Sequence, residues 1–122
     1  MKVIETTKAS PAIGPYSQGI CTANLLFTSG QIPVNPDTGA IPEGIEAQVD
    51  QVMKNLEAIA AAAGTSLTKA VKTTCFLTDM ADFIVFNEVY ARYFTGKPAR
   101  SCVAVKALPK GVLAEVEAII EL

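Results

Sequence analysis

The chain of 122 residues (12.8 kDa) is half hydrophobic and only 18% charged, with a formal charge of −2 at pH 7, a pI near 5.0 and a mean hydropathy of +0.34. That length suits one domain over residues 1–122 with a single core. The scattered lysines form no basic stripe for a phosphate backbone, so nucleic acid is not an expected partner. The absence of histidine removes Ser-His-Asp and Cys-His nucleophile systems and the common His-bearing zinc and iron sites.

In chain order, Met1 to Lys8 lacks the apolar core of a signal peptide, and no later run has the length of a membrane span. A cytoplasmic protein with no membrane partner is expected. Ile4 to Thr7 is predicted as a short first strand, followed by a loop through Pro11, Gly14 and Pro15. Gln18 to Ala23 and Leu25 to Ser29 read as two strands of a hairpin with Ala23-Asn24 at the turn. The Pro33-to-Gly39 stretch has the composition of a structured loop. From Ile45 to Ala63 apolar residues recur at Val49, Val52, Met53, Leu56, Ile59, Ala60 and Ala63, which predicts a helix stopped by Gly64.

Ala70 to Thr78 alternates as a long strand. Asp79 or Asp82 is placed to cap a second helix whose Phe83, Phe86, Val89, Tyr90, Tyr93 and Phe94 make an aromatic stripe suited to core packing. Two further strands follow, around Arg100 and from Leu113 to Leu122, with Leu108-Pro109-Lys110-Gly111 read as the turn joining them. The predicted order is β-β-β-α-β-α-β-β, an α+β fold with a mixed sheet and two helices on one face. Two helices cover one face only, and so low a charge content favours burying the other against copies of the chain. Cys21, Cys75 and Cys102 are odd in number and widely spaced, which fits reduced thiols rather than disulfides or a metal site.

The charge in the apolar strand Pro98 to Val105 stands out. Arg100 is one of two arginines in the chain. A guanidinium cannot shed its charge, and burying it unpaired costs several kcal/mol, roughly 3 to 5. It therefore has three readings: a structural ion pair, an exposed edge-strand side chain, or an anchor for a ligand carboxylate. Alternation puts Arg100, Cys102 and Ala104 on one face. Cys102 reads first as a small buried hydrophobe. In the last strand Ala114, Val116, Ala118 and Ile120 form the face toward the helices, and Glu115, Glu117 and Glu121 the opposite one. A hairpin turning at 108–111 would set Ala104 against Glu115, Cys102 against Glu117 and Arg100 against Ile119, so that Arg100, Cys102 and Glu115 share a face. Arg100 and Glu115 would still lie roughly 14 Å apart along the ribbon, too far for a salt bridge within one hairpin, so that if the two work in one pocket a neighbouring subunit brings the second.

Gly14-Pro15-Tyr16-Ser17-Gln18, Ser29-Gly30-Gln31-Ile32-Pro33, Pro98-Ala99-Arg100-Ser101-Cys102-Val103 and Leu108-Pro109 followed by Glu115-Val116-Glu117 resemble, in order and spacing over the full length, the four signatures of the RidA/YjgF reactive-intermediate deaminases. The resemblance implies a homotrimer with a barrel-like core and a pocket at each subunit interface, and no cofactor or metal. The reaction it implies is hydrolysis of 2-imino or enamine acids such as 2-aminoacrylate to 2-oxo acids and ammonia. By the same resemblance Arg100 grips the substrate carboxylate and Glu115 positions water and moves protons, while Tyr16, Ser29, Gly30, Asn87 and Cys102 line the pocket. Thr95-Gly96-Lys97-Pro98 is shorter than the loop of many relatives, which widens the pocket mouth and places Lys97 beside it. Two rival functions remain: a non-catalytic module that binds small 2-oxo or 2-amino acids through Arg100, and a ribonuclease or translation inhibitor, against which the acidic pI and missing histidine argue.

Overall fold

A computed structural model describes residues 1–122. Its elements are β1 (Lys2–Ile4), β2 (Gly19–Thr22), β3 (Leu25–Thr28), α1 (Ile45–Ala62), β4 (Ala70–Leu77), α2 (Phe83–Tyr93), β5 (Ala99–Ala104) and β6 (Ala114–Glu121). They are in the predicted order. The first strand lies earlier than expected, because the Gln18 side chain takes over the backbone of Thr6, accepting from its N–H at 2.7 Å and donating to its carbonyl at 3.0 Å. Those groups are then lost to the ladder. Gly64 stops α1 in the left-handed conformation (φ 81°), and its N–H donates to the Ala61 carbonyl. Asp79 accepts from the Ala81 N–H and caps a 3₁₀ turn leading into α2, whereas Asp82 makes no cap bond.

All six strands form one sheet in the order β1-β2-β3-β6-β4-β5. The pair β4 and β5 is parallel, and every other pair is antiparallel. The hairpin expected between β5 and β6 does not form: β4 lies between them. A strand, a helix and a second strand in one sheet make a right-handed crossover that returns the second strand parallel to the first, so α2 sends β5 to one edge of β4 and leaves the other edge to β6. The Val105-to-Leu113 connection passes over the end of β4, where Val105 N–H donates to the Leu77 carbonyl and Thr78 N–H to that of Leu113.

Register through β4 then decides the faces. Thr73 is opposite both Arg100 and Ala118, while Phe76 is opposite both Val103 and Glu115. Opposed residues share a face, so Arg100 and Cys102 lie on the helix side and Glu115 on the other. The expectation that these three share a face is therefore wrong, and its error is the missing strand. Both helices pack on the face of Ala114, Val116, Ala118 and Ile120, all buried, with Val52, Leu56, Ile59 and Phe86 among the fully buried side chains above them. The other face has no covering layer: Val3, Phe27 and Val103 are exposed on it.

Candidate active site

The candidate side chains fall into two groups, one on each face of the sheet. The first is built around Arg100. Parallel pairing to β4 aims its side chain under α2, where Nη1 donates to Asn87 Oδ1 at 2.7 Å. The guanidinium carbon lies 4.8 Å from the Tyr90 ring centre and 5.5 Å from that of Phe83, within range of cation–π attraction. Tyr90 is in turn fixed by a 2.7 Å hydrogen bond between its hydroxyl and that of the fully buried Thr73. Both ion pairs of the chain lie elsewhere, Lys54 with Asp50 and Arg92 with Glu46, so Arg100 has no carboxylate partner. A planar cation clamped on one edge and stacked below keeps its remaining donors aimed at whatever enters.

Asn87 is thus placed beside Arg100. Cys102 shares their face and pairs in register with Cys75. Burial raises the Cys102 thiol above its usual range, with Arg100 pulling only weakly the other way, and burial pushes Cys75 up to about 12. Both are protonated at neutral pH, which fits packing rather than nucleophilic use. Sequence reasoning missed Thr73, whose alternation reads as ordinary strand, and saw in Tyr90 and Phe83 only a core stripe. Tyr90 is in the core and is also the floor beneath the cation.

The second group surrounds Glu115. Tyr16, Ser29, Gly30 and Glu115 line one cavity of 360 Å³ with Pro109 and Glu117. Paired bonds between the backbones of Gln31 and Val116 extend the β3–β6 ladder. From Phe27 to Gln31 there are four steps and from Ile119 to Val116 three, leaving one extra residue in the Thr28-to-Gly30 stretch. Gly30 sits in that irregularity against the Glu115 carboxylate, and a Cβ built on it would meet Glu115 Oε2 at 2.3 Å. Only glycine leaves this room. Ser29 is held by hydrogen bonds from its hydroxyl to the Ser17 carbonyl and from its N–H to the Gln18 carbonyl. Tyr16, half exposed at 51%, stands at the rim. Burial raises the Glu115 carboxyl above its ordinary value and the neighbouring Glu117 charge adds to the rise. Arg100, on the far side of the sheet, is not among the causes. Beside this pocket Gln31 Oε1 is buried without a hydrogen-bond partner.

Within one chain Arg100, Asn87 and Cys102 are therefore brought together, Tyr16, Ser29, Gly30 and Glu115 are brought together, and the two sets are kept apart. No three His, Cys, Asp or Glu side chains converge into a metal site, and no helix is long and apolar enough to cross a membrane.

Residues 6–122 match the family model described as endoribonuclease L-PSP. The chain is 49% identical over 122 residues to the Escherichia coli K12 protein named 2-iminobutanoate/2-iminopropanoate deaminase, covering 97% of this chain and 95% of that protein. It is 53% identical over 122 residues to the RutC family protein y4sK of Sinorhizobium fredii, with 98% and 96% covered. Among solved structures, E. coli TdcF with bound serine superposes with a TM-score of 0.96 at 47% identity, over 100% of this chain and 99% of that one. The chain belongs to the RidA/YjgF family of reactive-intermediate deaminases, whose fold it shares throughout.

Proposed function

We propose that the protein hydrolyses reactive 2-imino and enamine acids of the 2-aminoacrylate and 2-aminocrotonate type to 2-oxo acids and ammonia, without a cofactor, as a homotrimer whose sites lie between subunits. One observation carries this reading: a half-buried guanidinium, fixed by Asn87 and two aromatic rings, that has no carboxylate of its own. A substrate carboxylate supplies the missing anion through parallel hydrogen bonds.

Clamping the carboxylate holds the imine carbon at C2 at a fixed distance from the site walls. An enamine becomes the imine by taking a proton at C3 and losing one from nitrogen. Glu115, brought by a neighbouring chain, accepts a proton from water as the oxygen bonds to C2 and the C=N electron pair moves to nitrogen. That proton passes to the nitrogen to give an amine, the new hydroxyl gives its proton to the same nitrogen by way of Glu115, and the C–N bond then breaks with its electron pair to nitrogen, releasing ammonia as the oxygen closes to the 2-oxo group. One water is consumed and nothing is oxidised. A carboxyl raised by burial gives and takes protons more evenly near neutrality than one in open water, and general acid–base help of about a hundred- to ten-thousand-fold suffices for so labile a bond. Delivery from a neighbour is supported by the placement of β5 at the sheet edge, where a second chain reaches the Arg100 side around an unpaired strand, and by the uncovered face that carries Glu115.

A second reading, carboxylate binding without turnover, draws on the serine bound to the related TdcF. The test is loss of imine generated in situ by an amino-acid oxidase. Wild type is expected to accelerate it, and Arg100→Ala and Glu115→Ala each to lose about a hundredfold or more. Co-refolding the two variants in equal amounts should restore about a quarter of wild-type activity, since half the Arg100 positions and half the Glu115 positions are intact and pair at random in a closed ring. Imine decay untouched by wild type would leave only the binding module. Full variant losses without rescue would place both groups in one chain's site.

A further inference from the structure

Lys97 adds a second cation to the cavity that holds Arg100. Both line a space of 480 Å³ whose apolar wall is Tyr90, Phe94 and Pro98 and whose rim includes Thr95. No Asp or Glu lines it, and neither cation takes part in the chain's ion pairs. The volume is that of a small-molecule site, and two unpaired positive charges over low-dielectric walls concentrate anions there.

The position of Lys97 is built rather than incidental. It adopts a left-handed backbone (φ 52°) that non-glycine residues seldom take. Its N–H donates to the Phe94 carbonyl at 3.3 Å, closing the Phe94-to-Lys97 turn. Gly96 seats that turn on the 3₁₀ segment Leu67–Lys69, since a Cβ on residue 96 would lie 2.6 Å from the Thr68 carbonyl oxygen. The turn is therefore pinned from two sides, with the lysine at the mouth and the arginine within.

We infer that Lys97 is the anchor for a second carboxylate, so that the cavity takes 2-imino dicarboxylates, the imines of four- and five-carbon acidic amino acids, in preference to their monocarboxylate analogues. The inference rests on the deaminase reading of Arg100. Arg100 holds the carboxylate beside the imine, the chain methylenes lie along Tyr90 and Phe94, and the distal carboxylate meets the Lys97 ammonium.

The experiment compares kcat and KM for imines made in situ from a neutral and from an acidic amino acid by oxidases of matching specificity. It is run on wild type, Lys97→Gly and Lys97→Arg, with calorimetric binding of 2-oxobutanoate and 2-oxoglutarate alongside. Glycine suits the left-handed backbone, so Lys97→Gly keeps the turn and removes only the charge. The dicarboxylate-to-monocarboxylate ratio of kcat/KM is expected to fall about fivefold in Lys97→Gly, through KM, as for loss of one partly exposed ion pair. It should return in Lys97→Arg, and 2-oxoglutarate binding should weaken by the same factor. An unchanged ratio with both imines turned over would overturn the role of Lys97 and leave the deaminase reading intact. Turnover of neither imine, with 2-oxoglutarate binding still weakened by Lys97→Gly, would overturn the deaminase reading and uphold the dicarboxylate site.

Discussion

At residue 30 there is no space for a methyl group, and the atom in the way is the free end of Glu115. Alanine there is cheap to fold, because a terminal carboxylate swings aside, yet it moves the group proposed to handle the water. Gly30→Ala is expected to change stability in urea by less than about 1 kcal/mol while lowering imine hydrolysis about a hundredfold, the usual effect of an ångström's misplacement. In a Glu115→Ala background the same substitution should cost no further activity. A large loss of stability instead would mean that Gly30 serves the backbone bulge and not the carboxylate. That Arg100 calls for explanation is legible in the sequence, since an arginine in an apolar strand needs an anion unless it reaches solvent. Its partner Asn87 is legible only through the family resemblance, and Tyr90 not at all, because a ring that packs in a core and a ring that floors a cation have the same helical spacing. The raised carboxyl of Glu115 depends on burial against Gly30, a contact between residues 85 positions apart that no local pattern encodes.

Elements were readable in kind and order because their signals are local: period-two alternation in β4 and β6, period 3.6 in α1 and α2, glycine at the helix stops. Pairing was not. Turn-like Leu108 to Gly111 between two strand patterns invites a hairpin, and only the crossover rule applied to β4, α2 and β5 separates the strands. The polar residue inside the α1 stripe shows a further gap. Asn55 is fully buried, and its Nδ2 donates to the carbonyls of Ile32 and Val34 at 3.2 and 3.0 Å while its Oδ1 accepts from Gln51 at 2.9 Å. These bonds tie the loop after Gly30 to the helix, which fixes the wall of the Glu115 pocket from behind. Asn55→Leu fits the stripe in polarity but strands two buried carbonyls, and is expected to cost roughly 2 to 4 kcal/mol, measured by urea unfolding. Hydrogen exchange should rise at the Val34 N–H, which bonds to the Ile32 carbonyl. A neutral or stabilising result would show that the loop holds without this helix.

For the molecule as a whole, composition and fold make the same demand. Half the residues are hydrophobic, but two helices cover one face of a six-stranded sheet. The other face presents Val3, Phe27 and Val103 to solvent around the half-buried Glu115. Arg100 and Glu115 lie on opposite faces of that sheet, so the two can serve one substrate, as proposed, only when they come from different copies. The face can be altered without touching the core: Val103 is 45% exposed and points away from the helices, so Val103→Lys should keep its far-UV circular dichroism. In a trimer it sets three lysines into an apolar interface, where an unpaired charge is costly. Light scattering is expected to give three times the 12.8 kDa chain mass for wild type, and Val103→Lys a mass falling toward one chain on dilution, with imine hydrolysis falling in step. Stable single chains that hydrolyse imines at the wild-type rate would refute the shared site, because in one chain the sheet itself stands between Arg100 and Glu115.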